Sequence, residues 1–387
     1  MSMMKGESVL HFSLLDGLFW AFFACFGGLV SAYFLACGMA NTTLSITLAG
    51  YMLASFVGSF VLGQLCDRLT SNRKVFLPVF ALSVLTAFLA FFMAKTNLTI
   101  AAILFILFGF LCLPLGSSLD AWMLRSFHND GAKYGRARSS GSAGYAFAML
   151  IMGIWIQKQG YDVMLIAMAV LGILVFVFAF AAKEEPYPKK QAQQKKTGMK
   201  DLFQIHPYMF LLVIILLCGL SVSPINNLKI VILKSVGGDV GIMGLDSFLG
   251  VMIQDLCIMM AGPMQKINSH LRLFLMSASL LVTMLLIVFA VNPAMVILST
   301  CFVNLSYGLM LVTQRQITEE TVMSDLRTTA HALCDTMYSG VSGTIALMYS
   351  GAMMDHLGAK SPAVLGLVLT IIASLLSIVP MLKKSKQ

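Results

Sequence analysis

Apolar residues fill this chain in long uninterrupted stretches, separated by short breaks of Lys, Arg, Asp, Asn, Gly and Pro. The stretches fall near 12–36, 44–65, 75–94, 99–124, 138–156, 163–182, 208–228, 240–261, 272–291, 294–314, 328–354 and 362–382. A helix needs about 20 apolar residues to cross a hydrocarbon core, so the pattern predicts twelve transmembrane helices. The breaks are too short to hold a soluble domain. The longest, from Lys183 to Phe203, carries Pro186, Pro188, Lys189, Lys190, Lys195, Lys196 and Lys200 and reads as a solvated linker.

Composition sharpens this to a class. Hydrophobic residues make up 58% of the 387 and charged residues 11%, with a mean hydropathy of +0.87, which excludes a soluble globular fold. The first run continues straight toward the next without a small-residue cleavage pattern, so it reads as the first helix and not as a removed signal peptide. The expected fold is an all-α polytopic membrane protein of two pseudo-symmetric six-helix bundles, 1–182 and 208–387, joined by a basic linker over 183–207.

Charge then fixes orientation. Most of the 26 Lys and Arg fall on one side of the predicted membrane, among them Arg68, Arg73, Lys74, Arg125, Lys133, Arg136, Lys266, Arg272 and Arg327. Lys95, Lys158, Lys229, Lys234 and Lys360 fall on the other. The positive-inside rule puts both termini in the cytoplasm of a cell-membrane protein. Topology and anionic lipid account for the net charge of +9, so nucleic acid is not an expected partner. The eight cysteines lie mostly within apolar runs without C-x-x-C spacing; no metal and no cofactor are expected.

An internal repeat supports the two halves. At one constant offset Gly63 matches Gly262, Arg73 matches Arg272, Ser140 matches Ser339, Gly141 matches Gly340, Gly144 matches Gly343 and Met149 matches Met348. Such halves are related by an axis along the membrane normal, with the solute cavity expected between them.

Ionisable residues inside the runs are the candidate site, because a charge in hydrocarbon costs several kcal/mol unless paired or wetted. Asp120 closes the fourth run and Arg138 opens the fifth, so antiparallel helices carry opposite charges at one depth. Tyr145 follows Arg138 by two turns on the same face. A carboxylate, a guanidinium and an aromatic ring make a wall for a polar solute; the structural alternative is an ion pair that pins two helices. Asp16, near the start of the first run, is expected to face interfacial water. In the second half Asn226 and Asn227 follow Pro224 as further solute-binding candidates. Asp255, read as the deepest acid there, joins Gln254, His331 and Asp335 as proton-coupling candidates, the last two at i,i+4 spacing on one face.

Two segments resemble a known family. Gly63-Gln64-Leu65-Cys66-Asp67-Arg68-Leu69-Thr70, followed by Arg73-Lys74, resembles the helix 2–3 signature loop of the major facilitator superfamily, with Thr70-Ser71-Asn72 where the second glycine belongs. Tyr134-Gly135-Arg136-Ala137-Arg138 with Gly141, Gly144, Tyr145 and Asp120 is similar to the lactose permease branch, which includes nucleoside and phenylpropionate permeases. The resemblance implies a switch loop at Gly63, Asp67, Arg68 and Arg73, and solute contacts from Asp120, Arg138 and Tyr145. It also implies a proton-coupled symporter, not an enzyme, that imports a sugar or glycoside and works as a monomer. The expected second-half coupling residues of that branch are missing from helices 7 and 10. A nucleoside or aromatic-acid permease, or a non-transporting sensor on the same fold, therefore stands as the alternative.

Overall fold

In the computed structural model the chain is described over residues 3–184, 199–323 and 326–384, and it is helical almost throughout. The elements are α1 (Met3–Phe23), α2 (Val30–Ala36), α3 (Asn41–Leu69), α4 (Arg73–Ala94), α5 (Leu98–Ser126), α6 (Gly131–Gln159) and α7 (Val163–Ala181). Then come α8 (His206–Asn227), α9 (Lys229–Ser235), α10 (Val240–Met259), α11 (Ala261–Gln265), α12 (Ser269–Val288) and α13 (Pro293–Thr321). The last three are α14 (Arg327–Asp335), α15 (Ser342–Leu357) and α16 (Ser361–Lys384). The fold is an all-α polytopic membrane architecture, and 11 helices among the described residues are long and apolar enough to span a bilayer.

Each of the twelve expected runs falls on helix, and the eleventh changes backbone geometry partway along. The run expected over 328–354 is broken into α14, a π-helical stretch at Thr336–Val341, and α15. No proline marks the break; widening to i→i+5 bonding is a backbone feature that apolar patterning does not record. A second π-helical stretch, Ala24–Gly28, separates α1 from α2 within the first run. Most of the linker expected over 183–207 lies outside the described residues; the part that is described includes a 3₁₀ turn at Met199–Gln204.

Boundaries follow from local chemistry. Asn97, Asp130, Asn268 and Asn292 accept from the first backbone N–H groups of α5, α6, α12 and α13, satisfying donors that have no partner within the helix. Hydrogen bonding to Lys133 beside it holds the Asp130 carboxyl below the usual carboxylate range. Gly160 and Gly358, at φ +83° and +98°, stop α6 and α15 with a backbone turn that L side chains rarely adopt.

Contacts divide the chain into two compact units. One holds Met1–Met39, Gly50–Ala192 and Val240–Phe248; the other holds Ala40–Ala49, Gln193–Asp239 and Leu249–Gln387. The core of the first is aromatic: Phe12 and Phe76 pack edge-on to the buried Trp122, and Phe19 and Phe22 pack on Phe80. Within it α1 and α6 approach through glycine. A Cβ at Gly144 would overlap the Gly17 carbonyl, and one at Gly17 would sit 3.2 Å from the Ser140 carbonyl oxygen. Small residues let membrane helices meet backbone to backbone, and this contact brings the polar faces of α1 and α6 together.

The expected switch loop, between α3 and α4, is held by a residue that no motif marks. Glu184 accepts from the Ser71 hydroxyl and from the backbone N–H groups of Asn72 and Arg73, which places a carboxylate at the start of α4. Thr70, where the signature has its second glycine, adopts φ +50°, a left-handed conformation that favours glycine. Arg73 donates to the Phe180 carbonyl and lies 5.1 Å over the Phe180 ring, while Gly63, Asp67 and Arg68 are exposed.

Candidate functional site

Three helices of the first unit converge on one polar cluster. Helix α1 supplies Asp16 and Trp20, one turn apart; α5 supplies Gly116 and Asp120, also one turn apart; α6 supplies Tyr134, Arg138 and Gly141. Arg138 lies between two acids, with Nε 3.3 Å from Asp120 Oδ1 and Nη1 3.7 Å from Asp16 Oδ2. The Asp120 and Arg138 side chains are 30% and 33% exposed; Asp16 is 0% exposed. The Tyr134 hydroxyl faces the Asp120 carboxylate.

Glycines make room for this arrangement. A Cβ at Gly141 would overlap Asp16 Oδ2 and lie 2.6 Å from Trp20 Cδ1 and 2.7 Å from Arg138 Nη1. A Cβ at Gly116 would lie 3.0 Å from Trp20 Cζ2. The indole is therefore slotted between two side-chain-free positions, with the Arg138 guanidinium 5.2 Å over its ring. What results is a partly exposed donor and acceptor pair on an aromatic wall, backed by a second, buried acid.

The predicted Asp120 and Arg138 are thus brought together. Tyr145 lies two turns further along α6, stacked on Phe23 at 6.3 Å, so the ring over Arg138 is that of Trp20. Asp16 does not face interfacial water as expected. The helix begins well before the run's apparent start, and the Gly17/Gly144 approach seals the acid against α6. Its legible signal was an acid one turn from an aromatic residue beside a glycine.

Second-half candidates are scattered. Asn226 is exposed, and Asn227 donates from Nδ2 to Ser223 O at 2.9 Å within its own helix. Gln254 and Asp255 are half-buried on α10, and the deepest acid of that helix is Asp246, 0% exposed. His331 and Asp335 take different partners: His331 Nε2 lies 3.5 Å from Glu319 Oε1, while Asp335 accepts from Gln314 Nε2 at 2.9 Å. Glu319 lies near the end of helix α13, which runs on to Thr321. Lys229, expected in a loop, is buried and donates to Thr300 Oγ1 at 2.9 Å. Arg272, the repeat partner of Arg73, is fully buried and donates to the Met264 carbonyl at 2.9 Å.

The chain is thus a polytopic helical membrane protein with an ion-paired polar cluster inside its spans. The sequence profile of the MFS_1 like family matches residues 12–362, and the chain belongs to that family, a group of major facilitator superfamily transporters rather than enzymes. No curated protein sequence matches it. Among solved structures it is similar to a mutant of the nucleoside transporter NupG, at 14% identity and a TM-score of 0.85, covering 96% of this chain and 99% of that one. It is also similar to a bacterial homolog of the human lysosomal transporter Spinster in an inward-facing, unoccupied conformation, at 12% identity and a TM-score of 0.73, covering 98% and 97%. Against a D-xylose-proton symporter the identity is 13% and the TM-score 0.69, covering 94% and 96%.

Proposed function

We propose that this transporter is a proton-coupled symporter that imports a polyhydroxylated organic solute, a sugar or glycoside, across the cell membrane by alternating access. It works as a monomer with both termini in the cytoplasm, and segments 1–182 and 208–387 act as its two bundles. The observation that carries the reading is the half-open Asp120–Arg138 pair beside Trp20. Neighbouring hydroxyls of a sugar can donate to the carboxylate and accept from the guanidinium, while the indole packs on the apolar face of the ring. A membrane-embedded pair held one-third exposed suits ligand exchange better than a sealed structural bridge.

A nucleoside is the second reading. Its ribose offers the same hydroxyl pair, and its base could stack on Trp20. Uptake of labelled lactose, xylose and uridine into vesicles, with and without an inward proton gradient, tests both readings. Accumulation of one of them in wild type, lost in Arg138→Ala, is the expected result. Gradient-driven accumulation that survives in Arg138→Ala would overturn the site, and equilibration indifferent to the gradient would overturn the coupling. Binding of a panel member without any uptake would favour a sensor.

A further inference from the structure

Asp16 is the buried group that this site leaves unexplained. It is 0% exposed and turned toward the Trp20 side chain and the Gly141 backbone N–H, with Arg138 Nη1 at 3.7 Å. The charged and titratable groups facing it are Arg138 and Tyr134 from α6 and Asp120 from α5. From α4, Phe76 and Phe80 pack on Phe19, the residue three positions after Asp16 on α1. Toward α7, His11 is engaged by the Phe178 carbonyl. Two carboxylates therefore share one guanidinium, and the better-placed acid is Asp120, at 3.3 Å against 3.7 Å. With both acids ionised the cluster carries two negative charges against one positive, and Asp16, the acid sealed from water, bears the desolvation cost.

We propose that Asp16 is the proton-carrying acid of this transporter, with Arg138 as a switch between solute and Asp16. This rests on the reading of Asp120 and Arg138 as the solute site. Without solute, the guanidinium spans both acids and Asp16 can release its proton. A solute whose oxygens accept from Arg138 draws the guanidinium away, and Asp16, left without its one cation, binds a proton from the aqueous phase. Solute and proton then favour each other's binding by linkage, the sign that symport requires. Gly141 is the positioning residue: its missing side chain lets carboxylate, indole and guanidinium occupy one space.

The test needs no knowledge of the solute. Infrared difference spectra of the purified protein, titrated with pH, report the C=O stretch of a protonated carboxylic acid. A band that titrates in wild type and in Asp255→Asn, and is lost in Asp16→Asn, is the expected result. Arg138→Gln, which imitates removal of the guanidinium by solute, moves the titration to higher pH. Asp120→Asn, which leaves Arg138 to Asp16 alone, moves it to lower pH. A band that survives Asp16→Asn, or that Arg138→Gln does not move, overturns the proposal. If Asp16→Asn does not fold, Asp16→Glu carries the test, because the band must then shift in frequency. These spectra do not depend on which solute is carried, so an inactive uptake panel would defeat the functional reading and leave the Asp16 result standing.

Discussion

Replacing Gly141 with alanine adds one methyl group at the point where three side chains meet. The new Cβ would overlap Asp16 Oδ2 and lie 2.6 Å from Trp20 Cδ1 and 2.7 Å from Arg138 Nη1. Ordinary carbon contacts are about 3.5–4.0 Å, so each neighbour must retreat by about 1 Å. Overpacking of this kind costs about 1–3 kcal/mol. All three obstacles are side chains, so the helices can keep their places while the cluster rearranges. If that cost falls on the binding arrangement, solute affinity drops by about 5- to 150-fold, at 1.4 kcal/mol per factor of ten. Gly144 is the control, because its Cβ would overlap the Gly17 backbone carbonyl, which cannot move without parting α1 from α6. The assay pairs thermal unfolding in detergent with the concentration dependence of uptake. Gly141→Ala should unfold close to wild type but bind weakly, whereas Gly144→Ala should lose stability outright. Wild-type affinity in a folded Gly141→Ala protein would refute the reasoning.

Three further outcomes follow from particular residues. Thr70→Gly should raise the thermal midpoint, since a left-handed non-glycine residue carries about 1–2 kcal/mol of steric cost; Thr70→Val should lower it. Glu184→Gln removes the charge from bonds to Ser71, Asn72 and Arg73, each worth about 1.5–3 kcal/mol when charge-assisted. Limited trypsin digestion should then cut faster after Arg73 and Lys74. Asp355 accepts from Asn41 Nδ2, Thr42 N and Thr42 Oγ1 at the start of α3. Asp355→Ala should therefore cost about 0.5–2 kcal/mol and speed amide exchange at Thr42.

Much of this architecture was legible because membrane burial writes itself into apolar run length. The Asp120–Arg138 pair was legible as well, since opposite charges near the facing ends of two adjacent runs lower their desolvation cost by meeting. The burial of Asp16 is not legible, for a reason of the same kind. The first apolar residue does not mark the start of α1, which begins earlier, and the acid's burial depends on Gly141 and Gly144, distant in sequence on α6, the second of them opposite Gly17. The break at Thr336–Val341 and the left-handed Thr70 leave no mark in hydrophobic pattern, because both are properties of backbone geometry that apolar and polar side chains adopt alike. His331 and Asp335 share a helical face but face different neighbours, Glu319 and Gln314, which spacing along one helix cannot reveal.

The most direct measurement is a double-mutant cycle on Asp120 and Arg138, read as uptake of whichever of lactose, xylose or uridine the wild type carries. A shared solute site predicts that Asp120→Asn and Arg138→Gln each impair uptake severely and that the double variant is no worse than the poorer single one. Losses that simply multiply, or single variants that transport normally, would contradict it.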